Sequence, residues 1–192
     1  MRLHRIMTIS LDKKLPESFG ASAQFGDTEL NLQMTSQESK TQTVLLTIAS
    51  MPCEFQITLD EEQRLLVPFD FRKSLEAKIE AMANMLSISF SARRGISSID
   101  PFIAISEMSG DQAKILNQCH GISGQPTIST SADHSFDFTD TRIISLMLDR
   151  LDGLSLLAES YSTEHALSRY REYVRLFELA FARPLGRILI KG

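Results

Sequence analysis

The sequence predicts an α+β protein: an antiparallel sheet with one or two covering helices, followed by a C-terminal helical hairpin. Three observations carry this expectation. Apolar and polar residues alternate with period two through much of the first sixty positions; from Arg72 the apolar residues recur every three or four; and beyond a polar stretch ending at Asp140 a second helical pattern runs to near the chain end.

Met7, Ile9 and Leu11 alternate with Thr8 and Ser10, and Cys53, Phe55, Ile57 and Leu59 alternate with Glu54, Gln56 and Thr58. Such alternation places each apolar set on one face of a sheet. Between them "ELNLQM" and "TVLLTIA" read as strands, and the polar "TSQESKTQ" separating these two reads as a hairpin loop. No helix-length crossover interrupts these strands, so an antiparallel meander is expected.

Leu75, Ile79, Met82 and Leu86 then mark a helix, with Asp70 placed to cap it. The runs "LSISF" and "PFIAI" flank "SARRGISSID" and predict a second hairpin. In "SGDQAKILNQCHG", Ser109 and Gln112 match a capping box, and Gly121 suits the left-handed position after the last turn.

The stretch from Ile122 to Asp140 is rich in Ser, Thr, Asp, Gly and Pro, the composition of a linker or long surface loop. It divides the chain into a sheet domain at 1–131, a linker at 132–140 and a helical hairpin with an apolar tail at 141–192. Ile143, Met147, Leu151, Leu154, Ala158 and Tyr161 define the first helix of the hairpin, and a turn near Ser160 to Thr163 leads into the second, His165 to Phe181. At 100° per residue, Ala166, Tyr170, Tyr173, Val174, Ala180 and Phe181 cluster around Phe177 and are expected to face the core. Glu164, Ser168, Arg171, Glu172 and Arg175 fall on the opposite side and are expected to be solvated. Leu179 breaks the pattern by lying on the polar side beside Arg171 and Arg175.

Composition limits the function. Hydrophobic residues make up 43% and charged residues 23% of 192 positions, as in an ordinary globular protein. A formal net charge of −4 supplies no general attraction to nucleic acid or anionic lipid. The two cysteines, Cys53 and Cys119, form no CxxC pair, and the N-terminus has no apolar signal core. No run approaches the ~20 apolar residues of a membrane span. A cytoplasmic location follows as the expectation, with no membrane partner and no cofactor.

Candidate sites are few. Asp133, His134, Asp137 and Asp140 form an oxygen-rich cluster with one imidazole, the donor types of a divalent-metal site. The EF-hand pattern fails there, with Phe138 in place of its glycine and Ile144 in place of its glutamate. The same residues are ordinary loop formers, with Asp140 or Thr139 available to cap the next helix. Cys119 and His120 are a thiol and an imidazole, but neighbours on a helix point about 100° apart. "GISG" lacks the Lys-Ser/Thr of a phosphate loop. Arg93 and Arg94 sit where a hairpin tip is expected and could meet phosphate. No GxSxG, HExxH or kinase signature is present.

"LDGLSLLAESYSTEHALSRYREYVRLFELAFARPL" resembles a C-terminal helical segment of a bacterial family without assigned activity, in which a GL-x-LLAE helix, a Ser-Thr turn with His-Ala and an RLFE-x-AF helix follow an N-terminal sheet domain. The matching residues are Gly153 to Glu159, Ser162 to Ala166 and Arg175 to Phe181. The likeness implies a bacterial protein of this two-part organisation whose family members continue past the position of Gly192. It implies no catalytic residue.

Without a convergent catalytic set, the sequence favours a non-catalytic interaction or self-association module. Its expected partner surface is Arg171, Arg175 and Leu179 together with Ile188, Leu189 and Ile190 of the tail "RILIKG". An apolar tail must dock, add a strand or enter another chain. The alternative is a metal-dependent enzyme or nucleic-acid-processing protein using the loop from Asp133 to Arg142, with Asp133, His134 and Asp137 as ligands. Nucleic-acid binding through Arg93, Arg94 and the helix arginines is a third reading that the net charge disfavours.

Overall fold

The computed structural model describes residues 1–16, 19–39, 42–97, 103–116, 134–138, 150–163 and 165–182. Strands β1 (Arg2–Leu11), β2 (Phe19–Phe25), β3 (Thr28–Ser39) and β4 (Gln42–Pro52) build an antiparallel sheet. With the helices described below, the fold is α+β. β2, β3 and β4 form a meander, of which only the β3–β4 hairpin is expected from the sequence. β1 lies beside β4, from Arg2↔Pro52 to Leu11↔Thr43, so the order β1-β4-β3-β2 is a Greek key.

The crossing from β1 toward β2 is pinned by specific contacts. Leu15 is buried, its N–H donates to Thr43 Oγ1 at 3.1 Å, and that hydroxyl donates to Lys13 O at 2.8 Å. Lys13 Nζ donates to Phe90 O at 2.7 Å. β2 was invisible to strand propensity because "FGASAQF" is mostly small residues. Its alternation of Phe19, Ala21, Ala23 and Phe25, all buried, was the available signal.

Helix α1 (Phe69–Phe90) lies across one face of this sheet. Leu75, Ile79, Met82 and Leu86 share a core with Leu3, Ile9, Leu11, Leu30, Leu32 and Leu45. Pro68, not Asp70, occupies the N-cap, and Asp70 sits in the first turn, where its charge favours the helix N-terminus. The helix continues through "LSISF", which is therefore no strand. It ends at Ser91 with φ 49°, whose N–H reaches Ile88 O.

The expected second hairpin is instead one interrupted edge strand. β7 (Arg94–Ser97) and β8 (Ile103–Ser106) both run antiparallel to β1, pairing with Thr8 to Leu11 and with Arg2 to Arg5. They succeed each other along β1 rather than pairing together. The expected strand from Cys53 to Leu59 shrinks to β5 (Thr58–Leu59), paired with β6 (Leu65–Leu66). Cys53 and Ile57 are still buried, so the alternation reports core contact without a ladder.

Helix α2 (Gly110–Leu116) carries the expected capping box: Ser109 N–H donates to Gln112 Oε1 at 3.0 Å, and Gln112 N–H to Ser109 Oγ at 3.4 Å. Gly121 lies outside the described residues. Within the segment expected as a linker, His134–Phe138 forms β9, parallel to β2 from Phe19↔His134 to Ala23↔Phe138. Helices α3 (Leu151–Ser162) and α4 (Ala166–Phe177) pack together, with α3 also against α1, and a π-helical turn, Glu178–Ala182, extends α4. No helix among the described residues is long and apolar enough to cross a membrane.

Candidate functional site

The C-terminal hairpin inverts the expected faces of its second helix. Leu167, Tyr170 and Phe177 are 74%, 67% and 63% exposed, and Tyr173 and Val174 are exposed as well. Glu172, on the side expected to be wet, is only 6% exposed. Leu176 and Leu179 turn toward α3, where a Cβ on Gly153 would meet Leu176 Cδ1 at 3.5 Å and Leu179 Cδ2 at 3.9 Å.

Glu172 lies inward because its charge is matched locally. Arg175 Nη1 donates to both Glu172 carboxylate oxygens at 3.3 Å, and Arg171 Nε lies 3.5 Å from Glu172 Oε1. Arg169 reaches back across the turn, its Nε donating to Ser160 O at 3.2 Å and Nη2 to Thr163 O at 3.1 Å. Those carbonyls end α3, so Arg169 closes the hairpin by capping it.

Leu167, Tyr170, Val174 and Phe177 therefore form an outward row with spacings of three, four and three. That is the a/d spacing of a helix–helix seam, and Glu172 and Leu179 fall on the opposite, inward line. Arg171 and Glu178 stand on one shoulder of the row, both exposed, and Tyr173 stands on the other. Of the residues expected to bind a partner, Arg171 and Arg175 are at the surface beside Glu172. Leu179 faces Gly153. Ile188, Leu189 and Ile190 lie outside the described residues.

Two polar features lie elsewhere. His4 joins three strands, with Nδ1 2.7 Å from Ser50 Oγ on β4 and Nε2 2.7 Å from Ser106 Oγ on β8. All three residues are buried, so the trio is a clamp holding the edge strand rather than a nucleophile and base open to substrate. Burial, aided by the nearby Arg2 charge, lowers the His4 pKa, with Glu107 and Glu29 opposing. Between α1 and α3 is a cleft of about 250 Å³ lined by Ala77, Glu80, Asn84, Asp152 and Ser155. Glu80 there is already engaged by Arg94 at 3.4 Å.

The described residues hold no group of three or more His, Cys, Asp or Glu suited to a metal ion. His134 and Asp137 both belong to β9, while Asp133, Asp140 and Arg142 lie outside the described residues. So do Cys119, His120 and the "GISG" segment. Arg93 and Arg94 precede or begin an edge strand rather than a hairpin tip, and pair with Asp12 and Glu80. Comparison with family models, curated proteins and solved structures returned no match.

Proposed function

We propose that this protein is an interaction module whose working surface is the outward row of α4. The carrying observation is that Leu167, Tyr170, Val174 and Phe177 are exposed while Glu172 is buried and Leu176 and Leu179 of the same helix turn toward α3. A row of large apolar residues in water is unfavourable by about 1.5–3 kcal/mol for each side chain that could be buried. Its three-four spacing fits a second helix rather than a strand or a small molecule. Tyr170 and Tyr173 add the amphipathic aromatic type enriched where proteins meet.

This reading moves the partner surface from Leu179 to the opposite side of the helix, while keeping Arg171 at its margin. A photo-reactive phenylalanine analogue at position 170, expressed in the producing cells, is expected to give a discrete protein adduct. The same analogue at exposed Lys114 on α2 should give none. Adduct formation at 170 that survives a Phe177→Lys change, or no adduct at 170, overturns the reading.

A further inference from the structure

We infer that the occupant of the α4 row is a second copy of the same helix, docked antiparallel about a two-fold axis near Val174. The inference rests on the interaction reading above and deepens it by naming the partner.

Charge placement on the two shoulders selects the partner and its direction. Taking the row as the seam, Arg171 and Glu178 both fall on the same shoulder, roughly 60–80° from its centre. In an antiparallel pair related by a two-fold axis, that shoulder of one helix meets the same shoulder of the other. Arg171 then stands level with the other copy's Glu178, and by symmetry Glu178 with the other copy's Arg171. The midpoint of these two positions falls next to Val174, so Val174 sits at the crossing. Tyr170 of each helix comes level with the end of the other's row, next to Phe177.

A parallel pair behaves differently. It would set the Arg171 and Glu178 shoulder against the shoulder of Ala166, Tyr173 and Ala180, which carries no charge to answer either group. In the antiparallel pair the uncharged shoulders meet each other instead, placing Tyr173 close to its own copy. Opposite charges meet on one side and aromatics on the other, the arrangement by which flanking positions set helix orientation.

The row is about three turns long. It supplies less than the ~800 Å² per partner of a standard interface, so a reversible dimer in the range of ~10–100 μM is expected rather than an obligate one. α3 packs against α4 from the side of Gly153, and Leu167, Tyr170, Val174 and Phe177 keep much of their surface exposed.

Sedimentation equilibrium of the full chain from 5 to 500 μM provides the test, with Arg171→Glu, Glu178→Arg and their equimolar mixture. Each single change sets like charges together twice per dimer and should weaken association about tenfold. The mixture restores both opposite-charge pairs between unlike chains and should dimerise like the wild type. Loss of a purely internal contact would not be repaired by mixing, and circular dichroism of each variant confirms that the hairpin remains folded. A wild type that stays monomeric at 500 μM, or a mixture no better than the single variants, overturns the second-copy inference. A cross-linked adduct from position 170 to a different protein would leave the interaction reading standing and remove only this inference.

Discussion

The Cβ that Gly153 lacks would stand 3.5 Å from Cδ1 of Leu176, so α3 and α4 touch where a helical residue has no side chain. That distance is ordinary van der Waals contact. Gly153→Ala is expected to be accommodated and to stabilise the protein by about 0.5–1 kcal/mol, since glycine inside a helix carries extra backbone entropy. Gly153→Phe has no room and must displace Leu176 and Leu179. Urea unfolding should show the alanine variant at or above wild type and the phenylalanine variant well below it. Equal midpoints for phenylalanine and glycine would mean that α4 does not pack there.

Glu172 lies on the same inward side, held between Arg171 and Arg175. A buried carboxylate with partly exposed partners contributes less than its ion pairs suggest, because desolvation offsets much of the attraction. Glu172→Leu is therefore expected within about 1 kcal/mol of wild type. Glu172→Lys buries a third cation against two arginines and should cost at least ~2 kcal/mol. Thermal unfolding of the two variants separates them; a leucine variant as damaged as the lysine variant would show that the carboxylate is indispensable.

These residues also show where the sequence was legible. Periodicity located α1, β3, β4 and both C-terminal helices, and the capping box at Ser109 and Gln112 formed as its residue types require. Periodicity gave α4 two stripes but could not say which one met α3. The usual assumption that charges face water failed at Glu172, which is buried because it finds two arginines. β2 and β9 were missed since small and polar residues mask strand pairing, which depends on the neighbouring strand more than on intrinsic preference. The alternation from Cys53 to Leu59 was real, yet among the described residues only Thr58 and Leu59 find a neighbouring strand to pair with.

The His4 clamp predicts a pH dependence. Its pKa is lowered in the folded state, first by burial, so the unfolded chain binds the proton more readily. The stability it contributes is fully present above the unfolded value of about 6.5 and is lost as pH falls through the lower, folded value. Urea midpoints measured between pH 7.5 and 5 should fall more steeply for wild type than for His4→Gln. Ser106→Ala should cost about 1–3 kcal/mol by leaving a buried ring nitrogen without its partner. Parallel pH profiles for wild type and His4→Gln would exclude the clamp as a pH-sensitive element.

Arg5 sits on the α1 face of β1, opposite Ala49, and among the described residues only Glu76 engages its guanidinium, at 3.1 Å through Nη2. Its Nε and Nη1 are buried and find no hydrogen-bond partner among the described residues. Glu76 is partly exposed and keeps its own hydration when the arginine is removed. The attraction is thus weakened by solvent at one end, while desolvation is nearly complete at the other. Arg5→Met keeps the length of the side chain and deletes the buried donors, so it is expected to be neutral or stabilising by up to ~2 kcal/mol. Arg5→Ala removes the stem as well and leaves a void under α1, with an expected cost of about 2–3 kcal/mol. The contrast between these variants in chemical denaturation isolates packing from charge. If methionine proves as harmful as alanine, the guanidinium itself holds α1 to the sheet, and the ion pair with Glu76 outweighs the burial of its remaining nitrogens.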